Sequence, residues 1–145
     1  MAYGTVEGLA FAGIDQARNQ PAEWGGGPRG YEKRAASNVG EFVIQEGVAE
    51  GLAAELKRPL DYPRCGCTGT AHRIGHALLG GVADEEPGGA YVLAVPRIAG
   101  AYAGALAQAS WLPSSSTNRA QLFLVNGTTS LAIGVAINLF HEFVK

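Results

Sequence analysis

The chain has 145 residues, 47% of them hydrophobic, and a formal net charge of −2, which suits one domain with a real core and leaves no room for a second. Near-neutral charge without a dense Lys/Arg cluster excludes a phosphate-tracking surface, so nucleic acid is not an expected partner. Two cysteines exclude a disulfide scaffold.

The opening GTVEGLAFAGIDQARNQ sets Val6, Leu9, Ala10 and Gly13 at helical intervals. The same stretch lacks the basic n-region and long apolar run of a secretory signal, so a cytoplasmic location is expected if the visible start is the true start. NQPAEWGGGPRG then breaks the helix with two prolines and four glycines, and Trp24 is the expected anchor of that loop. GGGPRG follows no strand and lacks the Lys and Ser/Thr of a phosphate-binding loop.

From Tyr31 to Arg58 apolar residues recur at threes and fours, with charges on the other face, which predicts one long helix stopped by Pro59. LDYPRCGCTGT reads as a loop in which Thr68 or Thr70 caps a helix from Ala71 to about Val82. DEEPGG ends that helix. AYVLAVP has the composition of a short strand, but a helix from about Val92 to Trp111 with Pro96 in its first turn is the favoured reading. LPSSSTNR is a compact connector, and its Ser or Thr residues cap a last helix from Asn118 to Val144. The expected fold is all-α, a single domain of four to five closely packed Gly/Ala-rich helices that includes a C-terminal helical hairpin.

Charge divides this domain. Residues 1–86 carry twelve acids and eight Lys/Arg, whereas 87–145 carry one acid and three Lys/Arg, so a charged half precedes a nearly uncharged hairpin. Two charge-free runs of 21 residues, Ile98–Asn118 and Ala120–Phe140, are long enough to enter a bilayer. Their Ala, Gly, Ser, Thr and Asn content, and Pro113, suit buried helices of a soluble or oligomeric bundle as well. Glycine pairs at i, i+4 (Gly4/Gly8, Gly47/Gly51, Gly100/Gly104), with Ser130/Gly134 as a fourth small pair, predict flat strips for close helix contact in either medium.

Two groups of residues carry candidate chemistry. Cys65, Cys67, His72 and His76 read C-x-C-x4-H-x3-H, four ligands for zinc or iron within twelve residues. That spacing departs from the C-x2-C zinc patterns, and H-R-I-G-H lacks the glutamate of a hydrolytic zinc helix. Reduced cysteines, or a small-ring disulfide between Cys65 and Cys67, are the structural alternatives, and no cofactor is the first expectation.

The second group lies in SNVGEFV and INLFHEFV, which echo one another by placing Asn38 ahead of Glu41 and Asn138 ahead of Glu142. A glutamate among apolar neighbours needs a donor or changes protonation. If the two helices pack together, these pairs would meet Arg34, Arg97 or each other in a buried polar knot. Glu41, Glu142 and His141 around a small-molecule pocket is the corresponding functional reading. No Ser/His/Asp set or Glu-x-x-His pair is present.

GYEKRAASNVGEF, the loop Asp61–Arg64, RIGHAL, RIAGAYAGALAQASWLP and NLFHEF together resemble a family of Gly-rich bacterial cell-envelope proteins known best from acidobacteria. The likeness runs over most of the chain from about Gly8. Members have an Asp-Pro-Arg-Tyr-like loop where this chain has DYPRC, keeping Pro63 and Arg64, and they begin with an export signal. The resemblance implies an envelope or membrane-associated location and a helical body, and it implies no reaction. The expected function is a non-catalytic structural or interaction protein whose partner is a second copy, another envelope protein or the membrane. Metal binding through the Cys/His group and small-molecule binding through the buried acids are the alternatives.

Overall fold

The structure is a computed structural model describing residues 2–86, 88–113 and 118–144. Five helices and one short hairpin form among the described residues: α1 (Ala2–Ala17), α2 (Pro28–Leu56), α3 (Thr70–Leu79), β1 (Ala83–Glu85), β2 (Tyr91–Leu93), α4 (Val95–Trp111) and α5 (Arg119–Phe143). The all-α reading holds, with the hairpin as its one addition.

The helix ends follow from local chemistry. Pro28 opens α2 because the first turn has no use for its missing N–H. Lys57 closes α2 in the left-handed conformation, φ 53° and ψ 41°, and its N–H returns to the carbonyls of Ala53 and Ala54. The helix therefore stops short of Arg58, whose place before Pro59 disfavours helical backbone. Gly69, φ 96°, precedes α3 with no side-chain cap, so neither Thr68 nor Thr70 has the capping role expected of it. Asn118 caps α5 itself, accepting from the N–H groups of Ala120 and Gln121 at 3.1 and 3.3 Å. Residues 114–117 of the expected connector lie outside the described residues.

Around residues 80–94 the helical reading needs correction. α3 ends at Leu79, not near Val82, and Tyr91–Leu93 is a strand. Ala83, Asp84 and Glu85 pair antiparallel with Leu93, Val92 and Tyr91. Gly89, φ 80°, supplies the left-handed step of the turn, and the Ala94 N–H extends the ladder to the Val82 carbonyl at 2.9 Å. The β-branched and aromatic content of the strand thus outweighs the helical pattern around it.

The long helices form a layer in which α1 and α4 flank α2, α5 packs on the far side of α4, and α3 packs on α5. α2 and α4 approach nearly backbone to backbone. A Cβ at Gly100 would lie 2.5 Å from the Gln45 carbonyl, and one at Gly104 would lie 2.8 Å from the Glu41 carbonyl. Gly4 and Gly8 likewise face Phe42 and Val39 of α2. The other two small pairs do not make such contacts: Gly47, Gly51 and Gly134 have open space where a Cβ would stand.

Burial runs opposite to the usual order for a globular domain. Among the described residues the buried hydrophobic side chains are all alanines: Ala12, Ala49, Ala53, Ala77, Ala94, Ala101, Ala105 and Ala109. Val6, Leu9, Leu106, Leu124, Ile137 and Phe140 are exposed. α5 is the one described helix long and apolar enough to cross a membrane, with mean hydropathy 1.6 over its best window and only 11% of that window buried.

Candidate functional site

The packing of α2 and α4 forms the floor of a cleft whose walls are α1 and α5, with a volume of about 800 Å³. Its floor carries a hydrogen-bond ladder that crosses all four helices. Asn126 of α5 donates to Gln108 Oε1 of α4 at 2.5 Å, and Gln108 Nε2 donates to Asn38 Oδ1 of α2 at 2.9 Å. Asn38 Nδ2 then donates to Asp15 Oδ2 of α1 at 3.2 Å. Ser37 braces the ladder, accepting from Gln108 Nε2 at 3.3 Å and from Trp111 Nε1 at 2.9 Å. Every amide in the series donates toward α1, so the dipoles align and end on a carboxylate, an order that strengthens each bond.

Glu41 stands one turn beyond Asn38 and lines the same cleft. Burial, and then the nearby carboxylates of Glu7 and Asp15, push it up to about 7 from an ordinary 4.5. Among the described residues its carboxyl forms no hydrogen bond or ion pair. Glu7, also on the cleft, is raised by burial and by Glu46.

At the loop end of the cleft Arg34 is 1% exposed. It donates to the carbonyls of Gln20, Gly25 and Pro21 at 2.7, 2.8 and 2.9 Å, to Gln16 Oε1 at 2.6 Å and to Asn19 Oδ1 at 3.4 Å. It thereby holds residues 16–25 against α2, and Trp24 of that loop lines the cleft.

Glu142 occupies a separate place. Its side chain is fully buried, and its Oε1 accepts from the Tyr62 hydroxyl at 2.8 Å and from the Cys65 N–H at 2.6 Å. Arg73 Nε donates to Oε2 at 3.2 Å, and the guanidinium stacks on Phe143, 4.5 Å from the ring centroid. Tyr62 has one proton. With that proton on Glu142, the 2.6 Å contact to His76 requires His76 Nδ1 to be the donor. Burial and then the Glu142 hydrogen bond push the Tyr62 phenol up from its ordinary 10. This knot fastens the loop Leu60–Cys65 to the end of α5 and lies outside the cleft.

The two Asn/Glu echoes therefore do not meet. α2 and α5 sit on opposite sides of α4, and the convergence that the alternative small-molecule reading of Glu41, Glu142 and His141 requires does not occur: of the three only Glu41 lines the cleft, and His141 is exposed beside Phe140. Asn138 is buried at the α3 contact, donating to the Ala77 carbonyl at 3.5 Å. Arg97 ties the hairpin to the loop through the Gly80 and Leu60 carbonyls, 2.6 and 3.3 Å, and Asp84, 3.2 Å. Cys65 and Cys67 are joined to each other by a disulfide, His72 is exposed, and His76 faces Tyr62 and Glu142. Among the described residues no group of three or more His, Cys, Asp or Glu is placed to hold a metal ion.

Asp15, Ser37, Gln108 and Asn126 were not singled out by the sequence patterns. The signal for Gln108 and Asn126 was a lone amide in an otherwise apolar helix, GALAQAS and LFLVNG. No protein-family model, curated protein or solved structure matches this chain.

Proposed function

We propose that this chain is a non-catalytic interaction protein of the bacterial cell envelope, associated with the membrane through α5. The observation that carries the reading is the sorting of side chains around that helix. Its Asn126, Asn138 and Glu142 turn to partners inside the protein, on Gln108, Ala77 and Tyr62. Its Leu124, Ile137 and Phe140 face outward. Water would reverse that choice, because leaving a Leu or Phe exposed forgoes about 1.5–3 kcal/mol each. Lipid rewards it, because a bilayer gives an outward apolar side chain a matching solvent and an outward amide none.

The dimensions agree. Twenty-five residues of α-helix extend about 37 Å against a hydrocarbon core of about 30 Å. Arg119 stands at one end and His141 at the other. α2 exposes Glu32, Lys33, Glu50 and Glu55, side chains that suit water. The envelope location rests on the family resemblance and the interaction role on the small-residue packing.

Fractionation tests the membrane assignment. The full chain, expressed in a bacterium, should sediment with membranes, resist alkaline carbonate extraction and need detergent to become monodisperse. Recovery as a detergent-free monomer refutes it, and a detergent-free oligomer that covers α5 replaces lipid with a second copy as the partner of that face.

A further inference from the structure

The cleft has a use that the membrane assignment does not supply, and its size and charge distribution indicate what would fill it. About 800 Å³ is within the range of small-molecule sites, and the cleft is open to solvent along one side. Its two walls differ in chemistry. α1 and the α2 floor bring Glu7, Asp15 and Glu41 to it. α5 brings Leu122, Val125 and Ile133 together with Asn126, Thr129 and Ser130 and no formal charge, and Gln108 of α4 and Leu112 just after it bring none either. Arg18 and Arg34 stand at the loop end, where Arg34 has spent its donors on loop oxygens. The middle of the cleft thus sets carboxyl groups opposite an uncharged wall on which Leu122, Val125 and Ile133 supply the apolar surface.

We propose that this cleft binds an amphiphilic organic cation, with its ammonium or iminium charge among Glu7, Asp15 and Glu41 and its apolar body along the α5 wall. A bare metal ion does not fit, because the carboxylates feel one another without closing on a common point. A larger cation that brings its own apolar surface satisfies both walls at once. Glu41 is the group with most to gain, since its carboxyl has no hydrogen-bond donor among the described residues and holds a proton near neutral pH. Arrival of the cation favours the carboxylate, and the displaced proton leaves to solvent. The charged groups around Glu41 are Glu7 and Asp15 from α1, with Glu46 farther along α2, Arg18 and Arg34 at the loop end, and none from α4 or α5.

Dye binding to the purified full chain, in dodecyl maltoside if detergent is needed and with empty micelles as blank, tests this. Rhodamine 6G is the cationic probe, and fluorescein has a related ring frame with negative charge. Rhodamine 6G should bind at about pH 8 at least ~10-fold more tightly than fluorescein, as complementary charge requires. Its affinity should fall about 10-fold between about pH 8 and pH 5.5, as Glu41 takes up its proton. Glu41→Gln should bind weakly at both pH values, with circular dichroism confirming its fold. Equal binding of the two dyes, wild-type affinity in Glu41→Gln at about pH 8, or a flat pH profile in the wild type overturns the proposal. The last comparison uses unaltered protein and stands whether or not the variant folds. None of these readouts depends on where α5 resides.

Discussion

Replacing Glu41 by Gln should make the protein more stable above neutral pH, although it removes a charge from a polar cleft. The gap between about 7 in the folded chain and an ordinary 4.5, at about 1.4 kcal/mol per pH unit, corresponds to about 3 kcal/mol. Residual solvent contact of the carboxyl reduces this to about 2–3 kcal/mol. The sign follows from proton binding: between the two values the folded state keeps a proton that the unfolded state has released. Stability from Glu41 is therefore fully present below about 4.5 and is lost as pH rises through about 7. Glutamine cannot ionise and escapes the loss. Thermal unfolding of both proteins should coincide near pH 4 and separate by about 5–10 °C near pH 8.5, given about 2–4 °C per kcal/mol for a chain of this size. A variant no more stable than wild type at the higher pH, or a separation that persists near pH 4, would show that Glu41 is not the strained acid described.

The glycine strips make opposite predictions on two helices. Gly100→Ala should destabilise by about 1–3 kcal/mol, because the new methyl meets the Gln45 carbonyl and Ala49, whereas Gly47→Ala, facing open space, should stabilise by up to about 1 kcal/mol; melting temperatures that move alike would contradict the packing of α2 on α4. Glu142→Leu should cost about 3–5 kcal/mol, since it strips a buried carboxylate from Arg73, Tyr62 and the Cys65 N–H at one stroke, and a denaturation midpoint near wild type would refute the knot's structural role. Asn126→Leu should cost about 1–3 kcal/mol by leaving Gln108 Oε1 without its donor in the ladder; a near-neutral result in the same assay would mean that water replaces the amide.

The helices were readable from spacing because each long one repeats apolar or small residues at threes and fours over several turns, as Ala35, Val39, Phe42 and Val43 do in α2. The β-hairpin was not, since three-residue strands are too short for their alternation to outweigh a helical pattern that begins two residues later. The Gly100/Gly104 strip and the openness of Gly47/Gly51 look identical in sequence. Which strip faces a neighbour is decided by how α1, α2 and α4 stack, a tertiary fact that no single helix encodes. Glu41 and Glu142 were visible as acids among apolar neighbours, and a shared knot was open to them only if α2 and α5 packed together. Their separation follows from α4 lying between α2 and α5. The ladder depends on amides from helices far apart in the chain, Asn38 and Gln108 being 70 residues apart, and local pattern carries no information about such a pairing.

The alanine core and the amide ladder belong to one physical argument. Methyl groups such as those of Ala101, Ala105 and Ala109 bury little apolar area, about 0.8 kcal/mol per carbon group, so apolar burial alone specifies this layer of helices weakly. Small residues compensate by bringing α2 and α4 close enough for Gln108 to reach both Ser37 and Asn38, and a relay of oriented amides then fixes the register of all four helices. Such bonds gain strength where water is scarce. An aqueous surround leaves Leu124 and Phe140 unburied. Around the outer face of α5 an apolar surround would give Leu124 and Phe140 a matching solvent, while the ladder itself faces the cleft. The same economy of bulk leaves the space between α1 and α5 unfilled, so the cleft and its carboxyl groups are a direct consequence of how the helices hold together.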